Sequence, residues 1–95
     1  MRIVIKKVGQ PAETKEIKGT LENLKELVGG YIECIYLPSN IICVCNEEGK
    51  LLGLKPNFRF NDDVIVGDVF FCAGAEEEFT SLNEIQIEWL MHIFK

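Results

Sequence analysis

Five consecutive apolar residues, Ile41-Ile42-Cys43-Val44-Cys45, sit between two turn-forming clusters, Pro38-Ser39-Asn40 and Glu47-Glu48-Gly49. A run of that length, bounded by breakers, suits a strand buried on both faces. Such a strand needs cover above and below it. Ninety-five residues are enough for one modest core but not for two. The expected organisation is therefore a single domain over residues 1–95, built around a sheet.

The flanking sequence supplies partners for that strand. Tyr31 to Leu37 reads as a strand, and Pro38-Ser39-Asn40 would turn it into a hairpin with the apolar run. Arg2 to Val8 is a further strand, and Gly9-Gln10-Pro11 is a turn. Ala12 to Lys18 forms a short paired strand with Ile17 inward. Lys50 to Leu54 reads as another short strand. Val64 to Val66 and Val69 to Cys72 give a last strand region, with a bulge or bend at Gly67-Asp68. Ala73-Gly74-Ala75 is expected to lead out of the sheet.

Two helices are expected. Thr20 is a good N-cap for the first. Leu21, Leu24, Leu27 and Val28 line one of its faces, and Gly29-Gly30 stops it. Ser81-Leu82-Asn83-Glu84 has the form of a capping box for a second helix from Leu82 to about Phe94. There, Glu84, Glu88, His92 and Lys95 form a polar stripe. Leu82, Ile85, Trp89 and Ile93 form an apolar one, widened by Ile87, Leu90, Met91 and Phe94. That arc is broader than one sheet face usually covers. It implies either deep burial or a homo-oligomer interface on the C-terminal helix.

Charge narrows the function. The formal net charge is −5, and from Asp62 to Glu88 there are eight acids and no Lys or Arg. General nucleic-acid binding through a basic face is disfavoured, because phosphate contacts supply most of that affinity. An acidic surface suits a basic protein partner or simply keeps the chain dissolved. No apolar run approaches the roughly 20 residues of a membrane span. Met1-Arg2-Ile3-Val4-Ile5-Lys6-Lys7 reads as a strand between charges rather than a signal peptide, so a cytoplasmic location is expected.

The sequence offers little for catalysis. Cys34, Cys43, Cys45 and Cys72 contain no Cys-x-x-Cys pair and read as buried, reduced thiols rather than metal ligands. His92 is the sole histidine and falls on a polar helix stripe. Asp62-Asp63 and Glu47-Glu48 are chain neighbours that point apart. Gly49-Lys50 lacks the spacing of a phosphate loop. The expectation is a protein that is not an enzyme, with no metal and no cofactor.

Binding is best sought between Asn46 and Asn57, extended to Arg59. Lys50, Lys55 and Arg59 fall there with no acid between them. Two glycines permit close backbone approach. Asn57 can bond a ligand, and Phe58 and Phe60 could wall a site. The candidate ligand-binding residues are Lys50, Lys55, Asn57 and Arg59, and the candidate ligand is a small anion. The same stretch also reads as a hairpin whose aromatics finish the core and whose cations pair with Asp62 and Asp63.

Several segments together carry a family resemblance. They are Leu21-Glu22-Asn23-Leu24 with Leu27-Val28-Gly29-Gly30-Tyr31-Ile32-Glu33, Cys45 to Leu54 followed by Pro56-Asn57, Asp63 to Gly67, and Phe79-Thr80-Ser81-Leu82. The chain resembles, over nearly its whole length, a family of small proteins with a domain of unknown function (three-eight-four-six). Lys55 departs from the resemblance, standing where a proline would be expected. The resemblance implies an origin in phages or mobile elements of Gram-positive bacteria and no assigned activity. Small proteins of such elements often counter host defence.

The fold expected is α+β: a small, mainly antiparallel sheet of four to six strands covered by two helices. The function expected is a non-enzymatic binding protein that sequesters a small anionic, nucleotide-like ligand. The alternative is an acidic inhibitor that masks a basic host protein.

Overall fold

The computed structural model describes residues 1–75 and 78–95. Its elements are β1 (Arg2–Lys6), β2 (Glu13–Glu16), α1 (Leu21–Val28), β3 (Ile32–Tyr36), β4 (Ile41–Asn46), β5 (Pro56–Phe60), β6 (Asp63–Val66), β7 (Val69–Ala75), β8 (Glu78–Thr80) and α2 (Glu84–Ile93). The main sheet runs β2-β1-β7-β4-β3, with β8 pairing the C-terminal end of β7. All its pairings are antiparallel. The fold is α+β with a mainly antiparallel six-stranded sheet, and β5 and β6 form a separate two-stranded sheet.

Alternation along the central strands divides the core in two. Ile42 and Val44 of β4 lie with Phe70 and Cys72 of β7 and Ile3 and Ile5 of β1 on one face, under Leu24 and Val28 of α1. Ile41, Cys43 and Cys45 lie with Val69 and Phe71 on the other. That second face is covered by Ile87 and Leu90 of α2 and by Ile65 and Phe58 of the small sheet. Every residue of β4 is buried, as its unbroken apolar run requires. Phe58, Phe71 and Phe94 close the second layer, with ring centroids 4.8 to 6.1 Å apart.

The first helix forms as its caps dictate. The Thr20 hydroxyl accepts from the Asn23 N–H at 3.2 Å, and Gly29 ends the helix in the left-handed region at φ 79°. Four other elements differ from expectation, each for a local reason. Lys50 to Leu54 is not a strand. The Leu52 N–H donates to Glu48 O and the Gly53 N–H to Lys50 O, so the chain coils through turns there, and the strand begins at Pro56. Val64 to Cys72 is two strands in two sheets. Gly67, at φ 78°, makes the break, and a Cβ there would lie 2.7 Å from Leu54 Cδ1. Ala73 to Ala75 stays in the sheet, because β8 pairs with it.

The fourth difference is the start of α2. The Ser81 hydroxyl accepts from the Arg2 N–H, and the Leu82 N–H donates to Arg2 O, so these residues extend along β1. Asn83 is the N-cap instead, in a reciprocal box with Gln86 at 2.8 Å each way. Buried Gln86 also donates to Ser39 O at 2.8 Å. That bond fixes the helix rotation. Ile87 and Leu90 turn inward with Met91 and Phe94, while Ile85, Trp89 and Ile93 stay exposed.

Phe71 is fully buried and meets two aromatic rings. Phe71→Ala is expected to cost about 3–5 kcal/mol of stability in urea unfolding. Tyr36→Ala, at a side chain 71% exposed, should change the same midpoint by less than about 0.5 kcal/mol.

Candidate functional site

The four residues expected to bind an anion are close in sequence but do different jobs. Lys50 follows the turn after β4, and its ammonium pairs with Asp63 at the start of β6. That hydrogen bond, helped by the Val64 N–H, holds the Asp63 carboxyl below the ordinary aspartate value. Lys50 lines a cleft of about 150 Å³ together with Glu33, Glu47 and Asp63. Three carboxylates to one ammonium make that cleft unfavourable for an anion. It is also smaller than the roughly 300–1,000 Å³ usual for small-molecule pockets.

Asn57 is committed inside the protein. Its Nδ2 donates to Lys6 O at 2.9 Å and to Gly67 O at 2.8 Å. Its Oδ1 accepts from Lys6 Nζ at 2.9 Å. Both amide hydrogens are used, so this side chain fastens the small sheet and the Gly67 bend to β1. Lys6 is itself buried and makes its second bond to Lys7 O at 2.9 Å. Among the described residues its ammonium meets no carboxylate. Sequence reading overlooked Lys6. The available signal was a lysine in phase with Val4 and Val8 along a strand.

Lys55 and Arg59 remain exposed, and among the described residues neither forms an ion pair. Lys55 borders a depression of about 330 Å³ between the end of α1 and Gly67, beside Glu26 and Asp68. Arg59 lies on the exposed side of β5. Phe58 and Phe60, between which it sits, pack into the core rather than walling a ligand. Of the sequence's cationic island, Lys50 lines one cleft and Lys55 borders another depression, while Arg59 pairs in register with Val64, which lines the first.

The cysteines are held as thiols. Burial pushes Cys45 up to about 11 and Cys72 up to about 12, and raises Cys43 further. Cys34 is raised mainly by burial and then by Glu33. Thiolate chemistry at neutral pH is not what these surroundings support. Among the described residues, no group of His, Cys, Asp and Glu has the geometry to hold a metal, and no helix is long and apolar enough to cross a membrane.

The outer face of α2 stands apart from these. Ile85 is 78% exposed, and Trp89 and Ile93 are each 45% exposed. Four residues apart, they form one stripe along the helix. Glu84 and Glu88 run beside it, Glu84 paired with Arg2. Sequence reading had these three residues in the right stripe but left open whether the protein's own core would cover it. Glu76 and Glu77, counted in the acidic stretch, lie outside the described residues.

These features define a small α+β protein with an antiparallel sheet covered on both faces and an apolar, acid-flanked helix on its surface. The chain belongs to the family described as Domain of unknown function (DUF3846), whose model matches residues 1–95. No curated protein and no solved structure matches it.

Two outcomes check this assignment of roles. Asn57→Ala leaves a buried ammonium and two carbonyls short of partners and is expected to cost about 3 kcal/mol in urea unfolding. Arg59→Ala should stay within about 0.5 kcal/mol. Alkaline pH tests the thiols. Unfolded cysteines ionise near the ordinary value of 9.0, while the folded ones keep their protons. Their contribution to stability is therefore full below about pH 9 and is lost as pH rises toward 11 and 12. Urea midpoints across that range are expected to fall, and less so in Cys72→Ala.

Proposed function

We propose that this protein is a non-enzymatic protein-interaction module whose docking face is the outer side of α2. The observation that carries the reading is the exposed Ile85-Trp89-Ile93 stripe beside Glu84 and Glu88. Large apolar side chains cost free energy in water and release it when covered. Acids along one border select a basic partner and repel acidic ones. The partner is therefore a protein surface with an apolar centre and a Lys- or Arg-rich rim. In a phage or mobile element, such a module would counter host defence by masking a basic host protein. Self-association through the same helix would compete with that use.

A second reading is capture of a small anion. The absence of ion pairs at Lys55 and Arg59 among the described residues favours it. In that reading Lys50 and Asn57 take no direct part, since both are engaged within the protein. Native mass spectrometry of the purified protein separates the two. A nucleotide-sized adduct that Lys55→Ala with Arg59→Ala abolishes would support anion capture.

The single tryptophan of the chain lies in the proposed face. A basic amphipathic helical peptide is expected to shift Trp89 emission to the blue, with affinity falling steeply as salt rises. Ile85→Glu should weaken the binding at least about tenfold, the loss of one well-covered apolar anchor. An unchanged emission spectrum at saturating peptide would rule this face out.

A further inference from the structure

The two edges of the main sheet are built differently. The β2 edge reads Glu13-Thr14-Lys15-Glu16, all exposed and mostly charged. Charges of that kind blunt an edge against further strand pairing. The β3 edge reads Ile32-Glu33-Cys34-Ile35-Tyr36, with one charge, no lysine and no proline. Tyr31, just before the strand, and Tyr36, its last residue, are 60% and 71% exposed.

The unpaired backbone groups of β3 can be identified. The Glu47 N–H donates to Tyr31 O and the Leu37 N–H to Ile41 O, each at 2.8 Å. Bonded pairs alternate along an antiparallel ladder. In the register that pairs Glu33 with Cys45 and Ile35 with Cys43, the odd-numbered residues of β3 bond to β4. The N–H and C=O groups of Ile32, Cys34 and Tyr36 therefore point away from the sheet.

We propose that β3 is a self-pairing edge, joining two copies of this chain antiparallel about a two-fold axis at Cys34. The strand is complementary to itself in that register. Ile32 faces Tyr36 of the second copy, Cys34 faces its own copy, and Tyr36 faces Ile32. All three outward residues then fall in bonded pairs, so every free N–H and C=O on the edge is satisfied. Glu33 falls opposite Ile35, and no like charges meet. Centring the pairing on Glu33 would set that carboxylate against its copy. Centring it on Ile35 would form two bonded pairs instead of three. The pairing joins two six-stranded sheets into one continuous sheet and leaves the outer face of α2 free.

The test combines sedimentation with backbone amide exchange on the full chain at increasing concentration. The expected result is a mass approaching twice that of the monomer, with exchange slowing at the amides of Ile32, Cys34 and Tyr36. Tyr36→Lys alters an exposed side chain and acts twice across the axis, so it should weaken association about tenfold. Cys34→Pro removes an N–H that β4 does not use. It should give a folded monomer whose circular dichroism matches the parent. A monomeric mass at the highest concentration overturns the proposal. So does a dimer in which those three amides still exchange fast, which would place the contact elsewhere, such as on α2. Slowed exchange in a complex of one copy with an extended strand from another protein also overturns it.

Discussion

The structure rests on two strands with no solvent side. In β4 and β7, successive side chains enter opposite layers, so neither face of the central sheet can be left open. Water on one face would expose Phe70, Ile42 and Val44, and on the other Phe71, Ile41 and Cys43. Each face must then recruit its own cover from a short chain. α1 covers one face, with Met1, Ile17 and Phe79 packed against the same layer. The other needs α2 and the β5–β6 sheet together, and the Phe58-Phe71-Phe94 contacts are where those two meet the strand they share.

This division of labour bears on what is left for function. The segment that resembles a ligand loop in sequence is mostly used to hold the small sheet in place. Asn57 spends its whole amide on Lys6 and Gly67, and Phe58 and Phe60 spend their rings on the core. Outward there remain the apolar stripe on α2 and the unpaired backbone of β3, besides exposed Leu51, Leu52, Lys55 and Arg59.

The sequence disclosed the parts whose physics is local. Thr20 and Gly29 cap α1 as their chemistry requires, and the unbroken run of β4 announced two-sided burial. Errors came where a long-range bond overrode a local signal. Ser81 has the right spacing for a capping box, yet the backbone of Arg2, 79 residues away, engages its hydroxyl first. Lys50 to Leu54 has strand-like composition, yet the N–H groups of Leu52, Gly53 and Leu54 close turns on the carbonyls of Glu48, Lys50 and Gly49. The rotation of α2 was illegible because it depends on Gln86 reaching the carbonyl of Ser39, and a buried glutamine has no place in an apolar count. The surroundings of the candidate site residues also depend on contacts made by the fold. Cations clustered in sequence looked like one site, and only the fold shows Lys50 neutralised and Asn57 occupied.

Phe94 has a bearing on how α2 would meet another molecule. Its N–H closes the last turn on Leu90 O, its own carbonyl accepts from the Ala12 N–H at 3.0 Å, and its ring stacks within the core. The helix is thus anchored at the end where short helices ordinarily fray, and Asn83 and Gln86 secure the other. A partner would meet a surface already in its final shape. Little conformational entropy would be surrendered on contact. Recognition would then proceed as the meeting of rigid bodies, its speed set by electrostatic steering rather than by waiting for a segment to order.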